Sequence, residues 1–134
     1  MTTKKSAVTK KANFKPGYAD GFLLVVPVKN IPAYKRMASA AGKIWMEHGA
    51  LEYKECSGDD LNIKMGIPYH ELRKSKPGET IIFSWITFKS RAHRDKVNAK
   101  VMKDPRLACS MDMNNMPFDF NRMSFGGFKV IVSH

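Results

Sequence analysis

The sequence predicts one α+β domain in which two β-α-β halves share a single sheet. Two runs, 18–26 and 80–88, are rich in β-branched and aromatic residues and apolar on both alternating faces. Each run is followed by a segment of helical character that opens on a capping residue. No internal repeat and no linker divides the 134 residues, a length suited to one core without disulfides or metal.

The first strand reads Tyr18-Ala-Asp-Gly-Phe-Leu-Leu-Val-Val26 and is closed by Pro27. Phe22, Leu24 and Val26 lie on one face, with Leu23 and Val25 on the other. Asn30, just before Ile31-Pro32, offers a side-chain oxygen as an N-cap, and proline is tolerated in a first turn because its missing N–H has no partner there. Tyr34, Met37, Ala38, Ala41, Trp45 and His48 then recur at helical spacing, opposite Lys35, Arg36, Ser39, Lys43 and Glu47. Gly49 ends this helix in a left-handed cap.

Ala50 to Cys56 alternates Leu51 and Tyr53 with Glu52 and Lys54, a strand with one wet face, and Ser57-Gly-Asp-Asp60 turns the chain. Leu61 to Lys76 has weak periodicity, with a short helical turn around His70 to Lys74, and reads as a long insertion. Pro77-Gly78 resets the chain before the third strand, Thr80 to Phe88. Ser90 caps a second helix running to about Met102 and stopped by Asp104-Pro105. Lys96, Lys100 and Lys103 share its wet side, and Val97 and Val101 its buried side, flanked by His93, Arg94 and Asn98. After a Met-rich connection, Arg122 to Val132 forms the last strand, where Gly126-Gly127 marks a bulge or a close backbone approach.

The order β-α-β, insertion, β-α-β is that of the ferredoxin-like βαββαβ arrangement. Right-handed crossovers place the first and third strands at the centre, and these are the two with doubly apolar faces. Helices cover one face of such a sheet. Leaving the aromatic and aliphatic side chains of the other in water forgoes about 1.5–3 kcal/mol each, so two chains are expected to stack sheet on sheet as an isologous homodimer.

The chain carries 23 Lys plus Arg against 12 Asp plus Glu, a net charge of +11. Residues 1–16 hold Lys4, Lys5, Lys10, Lys11 and Lys15 with no acid, so the remaining domain, 17–134, is only moderately basic. The leader has no hydrophobic periodicity and is expected to be a disordered basic tail. It lacks the apolar stretch of a secretory signal and the arginines of a mitochondrial presequence. No window reaches the roughly 20 apolar residues of a membrane span. Two distant cysteines, Cys56 and Cys109, fit a reducing compartment, and a cytoplasmic protein is expected.

His93-Arg94-Asp95 matches part of a protein-kinase catalytic loop, but Asn98 follows too soon and no glycine loop accompanies it. Arg94 and Asn98 read as polar groups at the rim of the helix's buried face, bonded to backbone or carboxylates; the alternative puts His93 or Arg94 at the mouth of a pocket for an anionic or carbonyl substrate. The four histidines are scattered without ligand spacing, so no metal is expected; Met111, Met113 and Met116 read as gap-fillers rather than copper ligands. No phosphate-cradling glycine motif occurs, and no tightly held cofactor is expected. Ser124-Phe-Gly-Gly-Phe128 has the aromatic and glycine content of an RNA-binding strand without the basic residue at its head. A sheet face buried in a dimer could not stack bases, so nucleic acid is the less favoured partner.

Several longer runs bear on family. They include Gly-Lys-x-Trp-x-Glu-His-Gly-Ala-Leu-Glu-Tyr (42–53) and Phe-Ser-Trp-Ile-x-x-Lys-Ser-Arg-Ala-His-Arg-Asp-x-Val-Asn-Ala-Lys-Val-Met (83–102). Phe22, Tyr34, Met116-Pro-Phe-Asp119 and Arg122-Met-x-Phe-Gly-Gly-Phe128 complete the set. In these the chain resembles the YbaA-like family of uncharacterised bacterial proteins, over about residues 18–132. The resemblance implies a dimeric α/β barrel of two facing sheets and no established activity. More distantly, the architecture is similar to that of small dimeric-barrel enzymes, which hold an apolar ligand between sheet and helices. By that analogy His48, Tyr53, Trp85, His93, Arg94 and Arg122 are the candidate ligand-binding residues. The expected function is that of a homodimer binding a small organic ligand, with cofactor-free catalysis open; the alternative is an RNA-associated or protein-interaction module using the basic tail and lysine face.

Overall fold

The structure, a computed structural model, describes residues 15–134; all but the end of the basic tail expected over 1–16 lies outside the described residues. Strand β1 (Tyr18–Pro27) pairs antiparallel along its full length with β3 (Glu79–Phe88), from Tyr18 opposite Phe88 to Pro27 opposite Glu79. Strand β4 (Ser124–Lys129) pairs with the other edge of β1, and β2 (Glu52–Ser57) with the other edge of β3, both antiparallel. The order is β2-β3-β1-β4, so the two doubly apolar strands are the central ones.

Helix α1 (Ile31–Glu47) follows a 3-10 turn, Val28–Asn30, and carries a proline in its first turn. Asn30 precedes it but does not cap it through its side chain, contrary to the sequence reading. The 3-10 turn leaves Asn30 near the helical region, at φ −94° and ψ −2°, whereas side-chain capping favours an extended residue. Its amide instead donates to the carbonyl of Pro117 at 3.1 Å. Gly49, at φ +112°, turns the chain after α1.

Helix α2 (Tyr69–Arg73) is the short helical turn of the insertion. Helix α3 (Arg91–Lys103) is capped by Ser90, whose Oγ accepts the His93 N–H at 3.1 Å. Asp104 ends α3 and also starts α4 (Pro105–Ser110), accepting the Arg106 N–H at 3.0 Å with proline in the first turn. This helix falls in the segment read as a Met-rich connection; its six residues are too few to display a helical period, yet Leu107 reaches the core. The last strand is shorter than expected over Arg122–Val132. Arg122 belongs to a 3-10 turn, Phe120–Arg122, held by Asp119 accepting the Asn121 N–H at 2.9 Å. The ladder passes Gly126-Gly127 without a skipped residue, so of the two alternatives there it is the close approach that holds: a Cβ on Gly127 would collide with the Tyr18 ring.

On the helix side of the sheet, Ile86 and Phe88 pack with Ile44, Val97, Val101 and Leu107, while Leu24, Val26 and Ile82 pack with Tyr34 and Ala38. The opposite side, expected to need an apolar partner, is covered in part by the insertion. Gly58 N–H bonds the Ile81 carbonyl at 2.8 Å, α2 packs on β3, and Arg73 donates to the Ser124 hydroxyl of β4. The insertion thereby straps the end of the face where Val25 and Ile81 are 1% and 2% exposed. Beyond the strap the face is open: Phe83 is 45% and Phe128 63% exposed, beside Leu23 and Trp85 in a groove of about 740 Å³.

Candidate functional site

Between α1 and the helix side of β2, a carboxylate is held by two phenols. Tyr53 and Glu55 are two apart on β2 and so share a face, and the Tyr53 hydroxyl donates to Glu55 Oε2 at 2.7 Å. From the first turn of α1, the Tyr34 hydroxyl donates to Glu55 Oε1, also at 2.7 Å. Burial, followed by the charge of Glu55 and its hydrogen bonds, pushes both phenols far above the ordinary tyrosine range. Both therefore stay protonated and keep donating.

Aromatic rings wall this group. Tyr34 meets Phe118 edge-on at 5.8 Å, and Trp45 meets Tyr53 at 6.2 Å. Gly42 lets the Tyr53 ring lie against α1; a Cβ there would sit 2.7 Å from the ring. Inward of Glu55 is a cavity of about 130 Å³ lined by Phe22, Met37, Trp45, Met111, Phe118 and Met123. Outward is a cleft of about 510 Å³ with Ile31, Lys35, Ser39 and Ser57 at its walls. Tyr34, Ala38, Tyr53 and Glu55 line both.

A second polar cluster lies under α3. Asp20, at the middle of the sheet on β1, is 3% exposed. Its Oδ2 accepts from the Asn98 amide at 3.3 Å, and Arg94 approaches Oδ1 at 3.4 Å. Arg94 also donates to the Tyr18 hydroxyl at 3.2 Å and stands over that ring at 5.0 Å. Burial raises the Asp20 carboxyl above its ordinary value, against the opposing pull of Arg94 and the Asn98 hydrogen bond.

The structure disperses the six candidate residues. Tyr53 is in the cleft and Arg94 in the Asp20 cluster. His48 binds Asp104 through Nε2 at 2.8 Å, tying the end of α1 to the start of α4. His93 Nδ1 accepts the Lys89 N–H at 3.0 Å, with its ring against Phe88. Burial, then the Lys89 charge, lowers the His93 pKa. Arg122 is fixed by Glu79 at 2.7 and 3.0 Å and by the Lys74 carbonyl. Trp85 shares the open face with Phe83 and donates to Glu52 at 2.7 Å.

Sequence reasoning missed Glu55 and Asp20. The signal was available in their phase: each is an acid standing where the strand alternation calls for an inward residue. Phe125 and Phe128, read together as an aromatic strand, lie on opposite faces, Phe125 stacked on Phe22 at 5.5 Å. Among the described residues no group of three or more His, Cys, Asp or Glu is placed to hold a metal, and both cysteines are exposed and unpaired. No helix among the described residues is long and apolar enough to cross a membrane.

A family model described as "Protein of unknown function (DUF1428)" matches residues 17–120. The chain is 37% identical to "Uncharacterized protein YbaA" of Escherichia coli strain K12 over 115 residues, covering 86% of this chain and 97% of that one. The same figures hold for the YbaA proteins of Escherichia coli O157:H7 and Shigella flexneri. Among solved structures, a protein of unknown function from Rhodopseudomonas palustris, RPA0582, aligns with a TM-score of 0.52 and 12% identity, covering 97% of this chain and 95% of that one. That likeness concerns the fold alone.

Proposed function

The chain belongs to the DUF1428 family of unknown function, in which YbaA is a relative, and we propose that it binds a small organic molecule between α1 and the sheet. We read the sheet as ferredoxin-like, and its open face as the seat of a second copy, giving a cytoplasmic dimeric α/β barrel.

The observation that carries the ligand reading is Glu55 between Tyr34 and Tyr53, inside an aromatic and thioether-lined space. Glu55 is half-buried, and a few converging polar groups beside an apolar cavity are the usual form of a ligand site. Ala38 lines both chambers, so Ala38→Phe fills them. A thermal-shift screen of small aromatic and aliphatic compounds is expected to give hits that this variant loses. A screen without hits, or hits indifferent to Ala38→Phe, overturns the reading.

A second copy is favoured over nucleic acid by the chemistry of the open groove. Leu23, Phe83, Trp85 and Phe128 line it, and none of its lining residues is charged. A facing sheet needs only such apolar contact, whereas phosphate binding would fall to Lys54, opposite Trp85, and Arg73, which is engaged with Ser124 at the rim. Sedimentation at micromolar concentration is expected to show a dimer that Phe83→Lys dissociates; a stable wild-type monomer ends this part of the proposal.

A further inference from the structure

We propose that the cleft selects ligands that carry a cation, a primary or methylated ammonium or an amidinium, and that Glu55 is their counter-ion. This rests on the reading of the cleft as a ligand site and names the class of molecule it takes.

Hydrogen-bond accounting supplies the first argument. Tyr34 and Tyr53 each have one O–H, and both are committed to Glu55 at 2.7 Å. What remains at this point is the spare lone pairs of two phenols and a carboxylate. At the Glu55 carboxylate itself the protein thus offers acceptors, and a group that binds there must donate; the donors of Lys35, Ser39 and Ser57 lie at the outer wall and Ser84 at the inner one. Both hydroxyls stay protonated, as the upward displacement of the phenols requires, and so remain donors to the Glu55 oxygens.

Charge supplies the second. Lys35 stands exposed at the outer wall; Lys54 borders the inner cavity, although its place in the strand alternation, opposite Trp85, sets its side chain toward the other face of the sheet. No arginine lines either chamber. Among the described residues no lysine or arginine forms an ion pair with Glu55, so its carboxylate is open to a cation from outside.

The walls supply the third. Rings of Tyr34, Tyr53, Trp45 and Phe118 surround the approach to Glu55, and aromatic faces favour a cation over a neutral or anionic group of the same size. Thioethers of Met37, Met111 and Met123 give the inner wall a soft, adaptable surface for the apolar part of the ligand.

Isothermal titration with three probes of similar size tests this: phenethylamine, 2-phenylethanol and 3-phenylpropanoate. Phenethylamine is expected to bind about tenfold more tightly than the alcohol, with the carboxylate weakest, and Glu55→Gln to erase that preference. Amide shift mapping on the wild-type protein is expected to centre on Tyr34, Tyr53 and Glu55, a readout that does not depend on any variant folding. Equal binding of amine and alcohol, both abolished by Ala38→Phe, overturns the cation selectivity while leaving the ligand site standing. Preference for phenylpropanoate, shifts centred elsewhere, or no binding by phenethylamine at millimolar concentration also overturns it; in the last case the broader compound screen decides separately whether the cleft is a site at all.

Discussion

The indole of Trp45 on α1 donates to Asn98 Oδ1 on α3 at 2.9 Å, and this one bond fixes which way the Asn98 amide faces. With its oxygen taken, the NH2 group points at Asp20 on the central strand, 3.3 Å away. Two helices and the sheet are thus joined through one side chain. Asn98→Ala would leave the indole N–H and a buried carboxylate each short of a partner, and is expected to cost about 1–3 kcal/mol in urea unfolding. Asn98→Asp is expected to cost more, since it sets a second carboxylate against Asp20; a variant as stable as wild type would show that the bridge carries no energy.

Asp20 itself is expected to make stability fall as pH rises. Its folded carboxyl lies above the ordinary value of 3.8, so over that interval the folded state holds a proton that the unfolded state has released. Stability is lost across that interval, and the loss is complete once the folded carboxyl has ionised too. Asp20→Asn removes this dependence, and the gap between variant and wild type in unfolding free energy is expected to move in the variant's favour from pH 4 to pH 7. A constant gap contradicts the assignment.

Glu79 has the opposite sign. Hydrogen bonds from Arg122, then from the Lys76 backbone, lower its carboxyl from 4.5 to about 2. The contribution is complete above 4.5 and is lost as pH falls toward 2. Arg122→Gln is expected to bring this carboxyl back toward 4.5, visible by NMR titration, and to speed amide exchange over residues 74–79, where Arg122 also holds the Lys74 carbonyl. Unchanged titration of Glu79 would contradict it.

Gly42→Ala tests the packing of the cleft. The added methyl meets the Tyr53 ring, which must move away from α1 and carry its hydroxyl from Glu55. A loss of about 1–3 kcal/mol is expected, with perturbed tyrosine ultraviolet absorbance. An unchanged spectrum would mean that the helix, not the ring, gives way.

Most of the fold is written locally. The period of two in Phe22, Leu24 and Val26 against Leu23 and Val25 marked the strand and the apolar character of both its faces, and Ser90 marked a helix start that the structure repeats. What escaped depended on geometry between distant segments. Asn30 has the residue type of a cap, but the turn before it decided its backbone, and Asp104 both stops one helix and starts another. The site escaped for a related reason. Tyr34 and Glu55 are 21 residues apart, and only the packing of α1 on β2 brings them within hydrogen-bond reach. Histidines and arginines draw attention in a sequence, yet His48, His93 and Arg122 hold elements together here, while of the inward acids Glu55 lines the cleft and Asp20 is buried under α3.

The strap laid by residues 58–78 has a consequence for how any neighbour can sit. Because it occupies the Val25 and Ile81 end of the sheet and reaches Ser124, a flat object approaching that side meets a ridge before it meets the strands. The available footprint is displaced toward Leu23, Trp85 and Phe128. The pairing proposed above would therefore be off-centre, each sheet displaced so that its own ridge clears the other's rim.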